Sequence, residues 1–178
     1  MIMPLRRYAE FSGRSRRMEY WMFVVFQWLI WMALYLVSIA LIGGGAMMAG
    51  FDPQNPAAGL AAMGGGFFII GIVAFVIWLG LLIPAIAVAV RRMHDTERSG
   101  WWILSPFLGY VVMGVGAVAR SGLLAALGLL AVVGLAITVL VFLFLDGTIG
   151  PNRYGPDPKN RTIDMLAKPG DLGPATIR

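Results

Sequence analysis

The chain has 178 residues, of which 59% are hydrophobic, and it carries a formal net charge of +5 and a mean hydropathy of +0.79. This composition is too apolar for an ordinary soluble domain, and the length suits a single compact membrane bundle. Because the sequence contains no cysteine, it excludes disulfides, thiol catalysis and iron–sulfur clusters.

Four long apolar runs predict four membrane-spanning helices, at about residues 20–42, 67–90, 101–119 and 123–145. The glycine-rich segment Gly43–Gly66 is predicted to be the main outer loop. Residues 101–145 would reach roughly 68 Å as one helix, about twice the hydrocarbon core, so the chain must turn back at residues 120–122. We predict an all-α, four-helix membrane bundle as a single domain in residues 1–158 and a mobile cytoplasmic tail in residues 159–178.

Basic residues are unevenly distributed among the gaps that separate these runs. Thirteen of the fourteen Lys and Arg residues lie before the first run, between the second and third, or after the fourth. Only Arg120 lies in either of the other two gaps. Because basic residues near span ends resist translocation, this asymmetry predicts that both termini are cytoplasmic. Anionic lipid headgroups account for these flanking charges, so we expect no nucleic-acid partner.

The predicted spans contain no Asp, Glu, Lys, Arg or His. Proton relays and ion-coupled carriers place such residues at membrane depth, so the sequence argues against a secondary transporter or a proton pump. Aromatic residues begin the first and third spans, where they are predicted to anchor the helices at the membrane–water interface. These anchors are Tyr20, Trp21, Trp101 and Trp102.

Ionisable residues gather in three stretches that the predicted topology brings to the same side of the membrane. The first has the pattern F-x-G-R-x-x-R-x-E-Y-W, formed by Phe11, Gly13, Arg14, Arg17, Glu19, Tyr20 and Trp21. The second has the pattern R-R-x-H-D-x-x-x-S-G-W-W, formed by Arg91, Arg92, His94, Asp95, Ser99, Gly100, Trp101 and Trp102. The third has the pattern G-x-x-G-x-N-R-Y-G-x-x-P, formed by Gly147, Gly150, Asn152, Arg153, Tyr154, Gly155 and Pro158.

These three patterns resemble those of a bacterial inner-membrane family known as domain of unknown function 805, or YhaH-like. The resemblance covers about Leu5–Pro158, which is nearly the whole chain. It implies a multi-pass protein of the bacterial inner (cytoplasmic) membrane. It implies no activity, because the family has none assigned.

The three stretches have two physical interpretations. In the first they clamp helix ends, because Glu19 lies against the apolar zone and needs a cationic partner, for which Arg17, Arg91 and Arg92 are candidates. Arg91 and Asp95, four residues apart on a helix, would also pair. In the second interpretation the arginines form an anion pocket that binds phosphate, with a phospholipid headgroup as the expected ligand. The candidate site for either role comprises Arg14, Arg17, Glu19, Arg91, Arg92, His94, Asp95, Asn152, Arg153 and Tyr154.

We expect a non-enzymatic membrane protein whose partners are membrane lipids, another protein or further copies of the same chain. One alternative is a membrane-embedded enzyme that acts on a lipid or phosphorylated substrate, with His94 and Asp95 as acid and base. Another is a small oligomeric channel or transport component. Adjacent residues point to different helix faces, and one histidine with scattered carboxylates is a poor metal site. We therefore assign no catalytic residue, metal or cofactor.

The charge asymmetry makes a prediction about topology. Reporter domains fused after Arg98 and after Lys168 should be active in the cytoplasm, whereas fusions near Asn55 and Ser121 should be active outside it. Paired cytoplasmic and periplasmic reporters at each position measure this directly. An external signal from the Arg98 fusion would contradict the four-span topology.

Overall fold

The computed structural model describes residues 3–48 and 56–161. In these residues every regular element is a helix, which confirms the prediction of an all-α chain. The α-helices are α1 (Met3–Arg6), α2 (Arg17–Met48), α3 (Pro56–Asp95), α4 (Ser105–Val118) and α5 (Gly122–Phe144). A short 3₁₀ helix (Gly100–Leu104) precedes α4.

Within residues 3–48 and 56–161, four helical stretches are long and apolar enough to cross a membrane, the number predicted from the sequence. They are Arg17–Ile42, Gly64–Asp95, Gly100–Val118 and Gly122–Phe144. The third combines the 3₁₀ helix with α4, because neither element alone has the required length.

The predicted outer loop is corrected by the structure, since α2 continues to Met48 and α3 begins at Pro56. The glycines of this segment are therefore largely helical. A helical glycine costs only about 1 kcal/mol relative to alanine, and good helix formers such as Ala46 and Met63 flank the two glycine triplets. Residues 49–55 lie outside the described residues, as do residues 162–178, which form most of the predicted tail.

The chain divides into two compact units. The first comprises Met1–Tyr8 and Trp21–Ala85, and therefore most of α2 and α3. Within it, the Tyr8 hydroxyl donates a hydrogen bond of 2.7 Å to the Gly80 carbonyl oxygen. The second comprises Ala9–Tyr20 and Ile86–Arg178, and it contains the whole of the predicted candidate site.

In the second unit, α4 and α5 pack closely through glycines. A Cβ atom added to Gly109 would lie 2.5 Å from the backbone nitrogen of Val132. A Cβ atom on Gly116 would overlap the backbone of Ala125, and one on Gly128 would overlap the backbone of Met113. Such backbone contact is available only to residues without a side chain, and it brings extensive van der Waals surface together between membrane helices.

The turn between α4 and α5 occurs where the sequence predicts it. Arg120 adopts a left-handed conformation with φ of 52°, and its N–H donates to the Ala117 carbonyl at 3.1 Å. The N–H of Ser121 donates to the Gly116 carbonyl at 2.9 Å, which completes a Schellman motif with arginine in the usual glycine position. The Ser121 hydroxyl oxygen then accepts from the Leu124 N–H and begins α5.

The glycine contacts predict the effect of adding one methyl group. Gly128→Ala should lower the free energy of unfolding by about 1–3 kcal/mol, because α4 and α5 must separate to admit the Cβ atom. Gly134 lies in the same helix with nothing within 4 Å of its added Cβ, so Gly134→Ala should be neutral or stabilising. Thermal unfolding of both variants in detergent measures the difference. Equal effects would contradict close glycine packing.

Candidate functional site at the arginine-rich helix ends

The candidate site begins where α3 ends in a second Schellman motif. Glu97 is left-handed with φ of 59°, and its N–H donates to the His94 carbonyl at 3.1 Å. The Arg98 N–H donates to the Met93 carbonyl at 3.0 Å. This reversal separates α3 from the 3₁₀ helix, whose first residues are capped by the Ser99 side chain.

A buried triad of Arg14, Arg92 and Asp95 lies at this end of α3. The Nε of Arg14 donates to Oδ1 of Asp95 at 2.9 Å, and Nη1 of Arg92 donates to Oδ2 of the same carboxylate. Arg92 is fully buried, Asp95 is 1% exposed and Arg14 is 5% exposed. Charges removed from water to this extent must be paired and hydrogen-bonded, and each oxygen of Asp95 accepts from one arginine.

Backbone carbonyls accept two further hydrogen bonds from Arg14. Nη1 of Arg14 donates to the Gly150 oxygen at 2.6 Å, and Nη2 donates to the Thr148 oxygen at 2.5 Å. The same loop also approaches Asp95, because the Thr148 N–H donates to the Asp95 carbonyl at 2.9 Å. A Cβ atom on Gly147 would overlap the Asp95 carboxylate, so only glycine allows the loop to cover it.

Arg92 caps the C-terminus of α5. Its Nε donates to the Leu143 carbonyl at 3.2 Å, and its Nη2 donates to the Leu145 carbonyl. The last carbonyls of a helix have no partner within the helix and carry the negative end of its dipole. The arginine therefore satisfies these acceptors while its charge complements the dipole. Its Nη1 also lies 3.4 Å from the carbonyl oxygen of Ser15, on the segment before α2.

Arg91 forms a separate ion pair with Glu19. Its Nη2 lies 3.2 Å from Oε1 of Glu19, which confirms the prediction that this carboxylate meets a basic residue of the second stretch. Nη1 of Arg91 donates to the Glu10 carbonyl at 2.8 Å. Asp95 forms ion pairs with Arg92, three residues earlier, and with Arg14.

His94 is held by the third stretch rather than by Asp95. Its ring stacks on Tyr154 with centroids 3.8 Å apart and planes within 4°. Its Nδ1 lies 3.2 Å from the Gly13 carbonyl, which only accepts, so this nitrogen carries the proton. The side-chain amide of Asn152 donates to the His94 carbonyl at 3.0 Å. The adjacent His94 and Asp95 therefore have different partners.

The other predicted site residues are more exposed. The Arg17 side chain is 45% exposed and lies 3.3 Å from Oδ2 of Asp146. Arg153 is exposed; its Nη2 donates to the Glu97 carbonyl at 2.9 Å. Of the predicted aromatic anchors, Trp101 is 77% and Trp102 40% exposed, whereas Tyr20 and Trp21 are half-buried.

Sequence reasoning missed two carboxylates that order the segment after α5. Hydrogen bonding to Arg161 holds the pKa of Asp157 well below its ordinary value, with further help from the Lys159 and Gly150 N–H groups. The side-chain hydrogen bond from Lys159 likewise lowers the pKa of Asp146. The signal that could have revealed the first pair is the four-residue spacing between Asp157 and Arg161. Lys159 and Arg161, assigned to the predicted tail, thus form ion pairs.

The triad, the Glu19–Arg91 pair and the His94–Tyr154 stack all use residues of the three sequence patterns. A family model described as "Protein of unknown function (DUF805)" matches residues 8–156 and so includes every one of these groups. The chain belongs to the DUF805 family. This confirms the resemblance drawn from the three patterns.

Several Escherichia coli proteins are similar to the chain over most of its length. Inner membrane protein YhaI of strain K12 is 30% identical over 158 residues, which are 87% of this chain and 91% of YhaI. Inner membrane protein YhaH of the same strain is 32% identical over 158 residues, 87% of this chain and 92% of YhaH. The protein YiiR is 27% identical over 156 residues, 85% of this chain and 87% of YiiR. No solved structure matches the chain.

The triad predicts a large effect from one isosteric substitution. Asp95→Asn should lower the free energy of unfolding by about 3–5 kcal/mol, because two buried guanidinium groups lose their carboxylate. Glu97 lies two residues later and is exposed, so Glu97→Gln should change stability by less than about 0.5 kcal/mol. Thermal or denaturant unfolding in detergent compares the variants. Similar, small effects would show that the triad does not stabilise the fold.

Asp157 predicts a pH-dependent contribution to stability. Its pKa is lower in the folded chain than the ordinary value of 3.8, so it stabilises the fold above that pH. This contribution should be lost as pH falls below about 4 toward the folded pKa. The stability difference between the wild type and Asp157→Asn should accordingly be largest near neutral pH and shrink on acidification. A difference that stays constant down to about pH 2 would contradict the assignment.

Proposed function

We propose that this chain is a non-enzymatic integral protein of the bacterial inner membrane with both termini in the cytoplasm. Four apolar helical stretches, the distribution of basic residues and similarity to two proteins named as inner membrane proteins support this location. On the cytoplasmic face, the buried triad clamps the ends of α3 and α5 to the segment that precedes α2.

The proposed clamp rests on the observation that protein groups already pair with all three charged side chains of the triad. Both oxygens of Asp95 accept from arginine, and the backbone carbonyls around Arg14 and Arg92 occupy positions that phosphate oxygens would take in an anion site. A phosphate would have to displace several of these carbonyls and enter a region without solvent access. The triad is therefore better suited to joining helix ends than to binding a ligand.

Membrane lipids are the partners we propose, and exposed arginines are the groups that bind them. Arg16, Arg17 and Arg153 are exposed, unlike the triad, and belong to the stretches predicted to face the cytoplasm. Each has a carbonyl or carboxylate contact that orients it, and each retains further guanidinium donors. Anionic headgroups at the cytoplasmic leaflet complement such a basic rim.

The hydrogen bonds of Asp95 also support the non-enzymatic proposal. An acid–base pair would need the carboxylate to orient His94 or to exchange a proton with substrate. Asp95 instead neutralises two buried arginines, and His94 contacts the Gly13 carbonyl. Within residues 3–48 and 56–161, no group of three His, Asp or Glu side chains is placed to hold a metal ion.

Lipid retention tests the proposed headgroup contacts. The full chain is purified from asymmetric bilayers that contain phosphatidylglycerol only in the cytoplasmic leaflet and phosphatidylcholine in both leaflets, and bound lipids are counted by native mass spectrometry. Replacing Arg16, Arg17 and Arg153 by Gln should reduce the preference for phosphatidylglycerol roughly fivefold per arginine, from about 1 kcal/mol for each basic side chain near an anionic surface.

Arg120→Gln is the control, because Arg120 is also exposed but is predicted to face the opposite side of the membrane. This substitution should leave the preference unchanged in lipid that is anionic only in the cytoplasmic leaflet. Unchanged retention in the triple variant, or an equal loss with Arg120→Gln, would refute headgroup binding by the exposed arginines. The clamp itself is tested separately by Asp95→Asn.

A further inference from the structure

A cavity of about 450 Å³ lies beside the triad, against the last turns of α3 and the 3₁₀ helix. Its volume falls within the range of roughly 300–1,000 Å³ that small-molecule sites occupy. Gly100 keeps the 3₁₀ helix against α3, since an added Cβ would lie 2.7 Å from Cγ1 of Val90. The packing of the 3₁₀ helix against α3 within the second unit thus forms the apolar part of the cavity.

The cavity lining changes from apolar to polar along one face of α3. Ile86, Val90 and His94 recur every four residues, so they lie on the same face of the helix and all three line the cavity. Ile86 and Val90 belong to the apolar span, whereas His94 lies in its last turn. Trp101 adds a further apolar wall, and Tyr154 lies at the polar end. Such a gradient matches a ligand with an apolar chain and a polar head.

The polar end presents groups that the protein leaves available. The His94 ring is fixed by its stack on Tyr154 and by the contact of Nδ1 with the Gly13 carbonyl. Within the described ranges 3–48 and 56–161, neither Nε2 of His94 nor the Tyr154 hydroxyl has a protein partner. The Ser99 hydroxyl oxygen accepts from the Trp101 N–H, and its own proton remains available to a ligand.

Positive charge next to this end favours an anionic head. The guanidinium carbon of Arg153 lies 4.7 Å from the centre of the Tyr154 ring, and this side chain is exposed. Hydroxyl donors from Tyr154 and Ser99, together with a nearby arginine, are suited to carboxylate or phosphate oxygens. The guanidinium groups of the triad donate hydrogen bonds to backbone carbonyls, whereas the two hydroxyl groups keep their protons available for a ligand.

We infer that the cavity binds one acyl chain of a membrane amphiphile, with the anionic oxygens of its head at the Tyr154 and Ser99 hydroxyls. The acyl chain lies along Ile86 and Val90, where it contacts the cavity wall instead of the surrounding lipid. A free fatty acid and a phospholipid share this chemistry, and the experiment distinguishes them. The inference rests on the proposed membrane location and shares Arg153 with the proposed headgroup contacts, but it does not involve Arg16 or Arg17.

Photolabelling of the full chain in phosphatidylcholine nanodiscs tests the site. The probes are a diazirine fatty acid, its neutral methyl ester and a diazirine phosphatidylglycerol, and labelled peptides are identified by mass spectrometry. We expect one anionic probe to label residues that line the cavity more strongly than the ester does. The anionic probe that labels more strongly shows whether the bound acyl chain belongs to a free fatty acid or to a phospholipid.

Ile86→Trp fills the cavity and should reduce this labelling roughly tenfold, the loss expected when a few buried methylene groups are displaced. Ile83→Trp is the matched control, because Ile83 lies one turn earlier and is 41% exposed, compared with 42% for Ile86, but it does not line the cavity. Its labelling should equal that of the wild type. Equal labelling of both tryptophan variants would show general lipid contact only and would overturn the inference.

Tyr154→Phe tests the polar end without filling the cavity, because phenylalanine keeps the ring that stacks on His94. This variant should label equally with the fatty acid and its ester, whereas Tyr110→Phe, an exposed hydroxyl on α4, should keep the wild-type preference. Wild-type labelling that does not distinguish acid from ester, or an absence of labelling by either anionic probe, would overturn the proposed ligand. None of these variants alters a charge, so Arg16, Arg17 and Arg153 are the same in every variant compared.

Discussion

The interaction on which the described site depends is the burial of two guanidinium groups around one carboxylate. Arg14 and Arg92 together carry one more positive charge than Asp95 neutralises. Backbone carbonyl oxygens from the end of α5 and the following loop stabilise this charge by accepting hydrogen bonds from the two arginines. Desolvated charges tolerate little misplacement, because each lost partner leaves an unpaired group in a low-dielectric environment. The chain segments that supply these partners are therefore held in one arrangement.

This requirement explains the local backbone around the triad. The loop after α5 passes so close to Asp95 that Gly147 has no room for a side chain. The same loop leads to the turn that carries Tyr154 and stacks it on His94. One polar cluster thus sets both the ends of the helices and the polar end of the neighbouring cavity. A structural role for the triad and a binding role for the cavity are compatible, because they use different atoms.

The sequence predicted the helices better than it predicted the contacts among the candidate site residues. Apolar length and the gaps between runs were sufficient to find four spans, and the need for a counterion correctly paired Glu19 with a basic residue. Arg92 lies at the helical spacing i, i+3 from Asp95, whereas Arg14 was not predictable from helix spacing, because it comes from a distant segment and is held by carbonyls of the loop after α5. The sequence also did not indicate that α3 ends near Glu97, since the left-handed residue that ends it is not glycine. Tertiary hydrogen bonds override the local rule at both places.

Accessibility of the segment before α2 tests the clamp most directly, and the chain is suited to it because it contains no cysteine. Ser15 is fully buried beside the triad, whereas Ser12 is exposed three residues earlier. In the otherwise native chain, Ser15→Cys should react slowly with a water-soluble maleimide and Ser12→Cys rapidly. Adding Asp95→Asn should make the cysteine at position 15 react nearly as fast as the one at position 12. Protection at position 15 that persists without the Asp95 carboxylate would contradict the clamp.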